Sequence, residues 1–267
     1  MKVRFFPILL LVSSCFVFQA AYAADKTTGS ITGEIKLEGK RPPKKAAPAI
    51  VEYQGPCGTR RSTEIVRLWK NRITDVTLWL TREKGSGPNL LSGTPAAVGQ
   101  SCEFMPKMLP AVPGSIVRVI NNDPYTQWLL VEEEGFKKRQ IMQEPEGEPV
   151  ELEVKKGKVI HLSSGFYPWM EAWIRPVPKL FAVAATKWDG LFEFNDIPPG
   201  KYTIHAWHSS LGETSEEVIV EAGEKDKVEI AFQLPLESPI PVMNASSLEN
   251  FLSGSTYRDA DENPFKK

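Results

Sequence analysis

Leu191-Phe192-Glu193-Phe194-Asn195-Asp196-Ile197-Pro198-Pro199-Gly200-Lys201-Tyr202-Thr203-Ile204-His205-Ala206-Trp207 holds two runs in which apolar and polar residues alternate, parted by a Pro-Pro-Gly turn. A repeat of two marks a half-buried β-strand, because successive side chains point to opposite faces. Pro199 and Gly200 preset a turn that aims Tyr202 and Ile204 into a core. Just upstream, Asp189-Gly190 reads as a tight hairpin turn. Outward from this stretch the alternation recurs at residues 30–37, 74–80, 115–120, 151–154, 159–162 and 228–232. Turn residues punctuate these runs at short intervals, which predicts an all-β protein made of sandwiches. No long stretch has helical periodicity, although residues 248–252 have room for a turn or two of helix. Residues 85–99, broken repeatedly by Pro and Gly, are predicted to be a loop. The charge runs Glu132-Glu133-Glu134 and Lys137-Lys138-Arg139 read as a solvated hairpin, and residues 235–267 as a flexible tail.

The first residues combine Lys2 and Arg4, an apolar run over 5–18, and the small-residue site Ala21-Tyr22-Ala23. That pattern predicts a secretory signal peptide over residues 1–23. A rival reading takes Val12-Ser13-Ser14-Cys15 as a lipoprotein cleavage site, but Phe16-Val17-Phe18 carries the apolar run past that cysteine. No later segment reaches the roughly 18 apolar residues of a membrane span, so the mature chain is expected in the periplasm or outside the cell, without a transmembrane segment. The 267-residue chain is long enough for roughly two domains once the leader is removed. A formal net charge of −1 and no basic stripe exclude nucleic acid as a partner. With Cys15 in the leader, Cys57 and Cys102 remain, and an oxidising compartment makes a disulfide the economical reading. Closing that loop is worth roughly 4 kcal/mol in the chain-entropy account. A metal or redox pair is disfavoured because no histidine lies near either cysteine in sequence.

Two stretches resemble known families. Residues 186–203, with a D-G turn, an F-x-F strand and a P-P-G-K-Y-T turn in fixed order, resemble the carboxypeptidase-regulatory-like domain, a small transthyretin-like sandwich. Such domains open with a G-x-I-x-G-x-V strand, and Gly29-Ser30-Ile31-Thr32-Gly33-Glu34-Ile35 fits that pattern. Cys102-Glu103-Phe104-Met105-Pro106, Val112-Pro113-Gly114-Ser115, Val119-Ile120-Asn121-Asn122-Asp123-Pro124 and Tyr167-Pro168-Trp169-Met170 are together similar to a cupredoxin, a Greek-key sandwich. These resemblances imply a cupredoxin-like region over 29–178 and a regulatory-like domain over 179–234. Residues 29–85 can instead pair with the C-terminal sandwich, leaving the cupredoxin-like unit as an insertion.

The cupredoxin resemblance implies a copper site, and its ligand positions can be read one at a time. Short ligand loops run Cys-x-x-His-x-x-Met, and here that frame reads Ser164, Tyr167, Met170. The first histidine would follow the N-x-D turn, where the register falls on Gln127. A serine hydroxyl does not ionise near neutral pH, a neutral amide is a poor copper ligand, and a phenol ionises only near pH 10. Met170 alone is a weak axial ligand, so no cofactor is expected. The other histidines, His161, His205 and His208, fall at odd spacings that place them on different faces. An alternative is a periplasmic copper-binding or electron-transfer protein that uses the thioethers of Met105, Met108, Met142 and Met170 or other atypical ligands.

Around the vacated ligand positions stand Tyr125, Trp128, Phe166, Tyr167 and Trp169. Loops rich in Tyr and Trp suit a contact surface, and the same rings also suit a plug that fills the space of the copper centre. Nucleophile elbows, metalloprotease motifs and phosphate loops are absent from the sequence, so no enzymatic activity is expected. The expectation is a non-catalytic exported binding or scaffold protein whose aromatic loops meet a protein partner or glycan of the cell envelope. The glycan option draws on the likeness of regulatory-like domains to carbohydrate-binding folds.

Overall fold

The computed structural model describes residues 27–39, 57–64, 66–82 and 94–234. The signal peptide with Cys15, the helix at 248–252 and the tail expected from 235 lie outside them. Eighteen strands follow one another: β1 (Gly29–Glu38), β2 (Leu68–Trp69), β3 (Arg72–Ile73), β4 (Thr77–Arg82), β5 (Ala96–Gln100), β6 (Glu103–Met105), β7 (Met108–Ala111), β8 (Ile116–Asn121) and β9 (Gln127–Glu133), then β10 (Arg139–Gln143), β11 (Val150–Glu153), β12 (Ile160–Ser164), β13 (Glu171–Pro176), β14 (Ala182–Ala185), β15 (Leu191–Ile197), β16 (Gly200–His208), β17 (Gly212–Val220) and β18 (Lys225–Gln233). The described chain is therefore all-β, and no helix in it is long and apolar enough to cross a membrane.

The strands make two sandwiches. In the first, β18 runs parallel along one edge of β1, while β15 and then β3 share the other edge. The facing sheet has the order β14-β4-β16-β17. Ile31, Ile35 and Leu37 from β1 meet Leu78 and Leu80 from β4, Tyr202 and Ile204 from β16, and Phe192, Phe194, Ile230 and Phe232 in one core. The odd-numbered apolar residues of β1 point inward, which leaves Thr32, Glu34 and Lys36 on the outer face. An N-terminal strand thus lies between two C-terminal ones.

Between β4 and β14 the chain builds the second sandwich, from sheets β10-β9-β12-β13-β7 and β11-β8-β5-β6. Its core holds Phe104, Val117, Val119, Leu129, Leu152, Leu162, Met170 and Ile174. Trp79, Met108, Val177 and Trp207 form a smaller cluster, joined by Val159, Trp173 and Leu180, where the two sandwiches meet.

Local chemistry explains most of the elements and corrects two expectations. The β9–β10 hairpin spans the two charge runs, with Gly135 at φ 82 in its turn and Lys138 3.5 Å from Glu132. Tyr202 donates its hydroxyl to the Pro198 carbonyl at 2.8 Å, latching the Pro199–Gly200 turn. Of the segment 85–99 expected as a loop, residues 85–93 lie outside the described residues, and the rest is not all loop: β5 pairs in parallel with β8, and its small residues Ala97 and Gly99 give only a weak strand signal. The Asp189-Gly190 turn is tight, with Gly190 at φ 77 and Lys187 N–H donating to Leu191 O at 2.7 Å. However, β14 and β15 belong to facing sheets, so the turn carries the chain between sheets instead of joining paired strands.

Candidate functional site

The candidate site lies where β8 ends, β9 begins, and the loop from β12 returns as β13. Gly99 on β5 locates it: a Cβ there would come 3.1 Å from Met170 Cε and 3.2 Å from Gln127 Nε2. Two of the four positions read from sequence therefore face one point. Ser164 closes the loop, since its N–H donates to Met170 O at 3.1 Å and its Oγ accepts from the N–H groups of Phe166 and Tyr167, each at 3.2 Å. Tyr167 turns inward, 5.8 Å from the Tyr125 ring and 5.1 Å from Trp169.

Each polar group at these positions has work other than metal binding. Gln127 is buried and donates Nε2–H to Asp123 Oδ2 at 2.7 Å. The Asp123 carboxylate also accepts the Cys102 N–H at 3.2 Å, and the Asp123 N–H donates to Asn121 Oδ1 at 3.0 Å. Asn121 in turn donates to the carbonyls of Tyr125 and Gln143, both at 2.9 Å. This is a closed, satisfied polar network inside a core, the condition under which buried polar groups stabilise a unique arrangement. An amide, a hydroxyl, a phenol and a thioether do not fit copper, which needs a thiolate and imidazoles for a mononuclear blue site. Among the described residues no group of three His, Cys, Asp or Glu side chains could hold a metal ion.

The other ligand candidates are scattered. Met108 lies in the junction cluster and Met170 in the inserted core, while Met105 and Met142 are exposed on β6 and β10, in different sheets. His161 stacks on Trp173 at 4.7 Å. His205 stacks on Trp79 at 5.1 Å and bonds Thr81 Oγ1 at 3.0 Å and Glu213 Oε1 at 3.1 Å, whereas His208 is fully buried. The methionines thus form no common thioether site.

Of the five aromatic residues expected to form a contact surface, Tyr125, Tyr167 and Trp169 are buried. The Trp169 indole N–H donates to Cys102 O at 3.0 Å, and the Tyr125 hydroxyl rests on the Cys57–Cys102 disulfide, whose Cα atoms are 5.2 Å apart. These rings plug the end of the sandwich, which corrects their reading as an open face. Phe166 is 39% exposed and packs edge-on against half-buried Trp128 at 5.7 Å. Gly165 is needed beside them, because a Cβ would meet the Trp128 ring at 2.3 Å.

Sequence reading missed a charged cluster beside this plug. Lys107 and Glu171 are both buried and line a small cleft with Ser62, Glu64, Trp169 and Trp173. Burial lifts the Glu171 carboxyl to about 7, against the pull of Lys107. Burial also lowers the Lys107 amine, with Arg67 adding to the effect. His161 Nε2 lies 3.8 Å from Glu171, and burial holds its imidazole down at about 4. A raised carboxyl contributes stability that is full below its unfolded value and is lost as pH rises through about 7. A depressed histidine contributes stability that is full above 6.5 and is lost as pH falls through about 4. The two slopes oppose each other between pH 4 and 7. Glu171→Gln should therefore gain on the parent above pH 7, by on the order of 2–3 kcal/mol. The gain should vanish below pH 4.5 in urea titrations across pH, and equal offsets at pH 4 and pH 8 would contradict it.

Neither a known protein family nor a curated protein matches the chain. Among solved structures, a proline-to-glycine mutant of amicyanin in its reduced Cu(I) form at pH 4 is similar at 12% identity and a TM-score of 0.30, covering 37% of this chain and 98% of that one. A methionine-to-alanine mutant of amicyanin in the Cu(I) form is similar at 12% identity and a TM-score of 0.29, over 37% and 98% of the two chains. The copper-containing nitrite reductase of Thermus scotoductus SA-01 is similar at 16% identity and a TM-score of 0.28, over 38% of this chain and 26% of that one.

Proposed function

We propose that this chain is a non-catalytic, exported binding protein, acting in the periplasm or outside the cell, whose inserted sandwich keeps the frame of a copper site without its chemistry. One observation carries the reading: the Gln127 amide, at the position of a ligand imidazole, is committed to the Asp123 carboxylate at 2.7 Å inside the core. The Ser164 hydroxyl at the thiolate position is likewise used by the loop's own backbone. The plug of Tyr125, Tyr167 and Trp169 gives this end rigidity, and the protein meets a protein partner or a glycan of the envelope. Protein purified from the periplasm, loaded with Cu(II) or Cu(I) and dialysed against a chelator, should retain no copper by mass spectrometry. A stoichiometric equivalent held through dialysis would overturn the reading.

The frame itself has a separate test. The triple variant Gln127→His, Ser164→Cys, Tyr167→His is expected to take up Cu(II) with the intense colour of a copper–thiolate bond, Met170 serving as axial ligand. A folded triple variant that stays colourless with Cu(II) would show that the four positions do not form a copper frame.

A further inference from the structure

Lys107 and Glu171 are buried together without being paired. They are 9% and 8% exposed, and among the described residues no ion pair joins them. The Glu171 carboxylate instead lies 3.8 Å from His161 Nε2, a buried nitrogen with no hydrogen bond among the described residues. Both side chains line a cleft of about 20 Å³ whose apolar wall is Met108, Pro168, Trp169 and Trp173. Strand pairing sets that wall: Trp173 lies beside Met108 across β13 and β7, and its N–H donates to Lys107 O at 2.8 Å. Roughly 10–15 Å³ is room for one water-sized molecule, so the cleft admits a ligand of very few atoms.

An ammonium group buried without a hydrogen-bonded counter-ion is costly, and burial favours the neutral amine. Arg67 acts on Lys107 in the same direction, against the pull of Glu103, Asp75 and Glu171. That guanidinium is fixed by Asp75 at 3.1 Å and Glu103 at 3.4 Å. A neutral primary amine is a nucleophile, so the ligand it selects is an electrophile. Size and the Met and Trp wall further require few atoms and no charge. Carbon dioxide meets all three conditions, whereas sugar aldehydes, quinones and acyl phosphates are too large or too charged. The polar side of the cleft suits the product, because a carbamate brings two oxygens that need donors. Ser62 and Thr63 line the cleft, and Ser62 Oγ accepts the Glu64 N–H at 3.1 Å, which leaves its O–H to donate.

We infer that this cleft is a carbon dioxide site, in which the Lys107 amine is carbamylated and Glu171 accepts the released proton. The Nζ lone pair forms the N–C bond, one C=O π pair moves onto oxygen, and the N–H proton passes to the Glu171 carboxylate across the cleft. Amine and carboxylate become carbamate and carboxylic acid, so the pair carries the same negative charge before and after, and no oxidant or reductant is consumed. The Glu171 carboxyl, raised by burial to about 7, holds such a proton near neutral pH, while His161, held at about 4, stays neutral beside it.

The test equilibrates the full mature chain near neutral pH with isotope-labelled bicarbonate, whose dissolved carbon dioxide is the probe. Carbon NMR of the intact protein detects the carbamate, and trapping with triethyloxonium followed by peptide mass spectrometry locates it. The label should saturate with carbon dioxide and exceed that on the exposed Lys137, Lys138 and Lys156 by about tenfold or more, the effect of burial on the neutral amine fraction. Those lysines are controls within the same molecule, so the comparison stands even where a variant misfolds. Lys107→Arg should remove the signal, and Glu171→Gln, which leaves the proton no acceptor in the cleft, should lower it several-fold. A parent spectrum without a carbamate carbon would overturn the site, as would one unchanged in Lys107→Arg or a label spread evenly over the lysines. A Glu171→Gln signal equal to the parent's would overturn the role of Glu171. Copper retention is measured separately, so either reading can fail alone.

Discussion

Trp169→Ala should lower the unfolding free energy by about 3–5 kcal/mol, the cost of deleting a buried large aromatic ring. The residue is only 7% exposed. Its ring lies 5.1 Å from Tyr167, which lies 5.8 Å from Tyr125, so one truncation opens a void beneath a stack of three rings. The indole N–H also holds Cys102 O at 3.0 Å, a buried carbonyl that would lose its partner. Trp169→Phe separates the two contributions: it keeps most of the packing, and its loss should be closer to about 1–2 kcal/mol. Phe166→Ala, at the exposed residue just before Tyr167, should cost under about 1 kcal/mol. Urea titrations of the four proteins check this order. If Trp169→Ala melted with the parent, the plug would carry no structural weight and the loop would return as a contact surface.

The contrast between Phe166 and its neighbours shows what the sequence could and could not disclose. Alternation on β1, β8, β11, β12, β15, β16 and β18 was legible because each has one face in a core and one in solvent. β9 was not, since Leu129, Leu130 and Val131 are consecutive buried residues and a strand covered on both sides loses its period. The register implied by the cupredoxin resemblance picked out Gln127 and Met170, whose side chains both lie beside Gly99. It said nothing about what covers the end of the sandwich, so three rings that plug it and one that protrudes looked alike. Trp188 shows the converse: a tryptophan is ordinarily a core residue, and only the turn at Gly190, passing between sheets, leaves it exposed. Lys107 and Glu171 were overlooked because single charges beside strands usually mark a solvated edge. They are buried in a cleft closed by segments distant in sequence, residues 62–64 on one side and Met108, Trp169 and Trp173 on the other.

Reduction of the Cys57–Cys102 disulfide, or the double variant Cys57→Ser, Cys102→Ser, should cost about 4 kcal/mol, the chain-entropy value for a closed loop of this length. The disulfide also shares its hold on Cys102 with neighbouring groups. Ser101 and Cys102 are consecutive non-glycine residues in the left-handed region, at φ 52 and φ 60. Such backbone costs of order 1 kcal/mol or more per residue and persists only where its surroundings hold it. Here Arg61 donates to Ser101 O at 2.9 Å and to Cys57 O at 2.8 Å, Asp123 accepts the Cys102 N–H, and Trp169 donates to Cys102 O. The disulfide and the aromatic plug therefore hold the same residue from two sides. In a double-mutant cycle, Trp169→Ala combined with reduction should cost less than the sum of the separate losses, by about 1 kcal/mol or more, because either change alone already frees Cys102. Strict additivity, measured by urea titration with and without reductant, would mean that the two act independently. The bond would then be a simple clamp on residue 57, and the plug would have to be explained by ring packing alone.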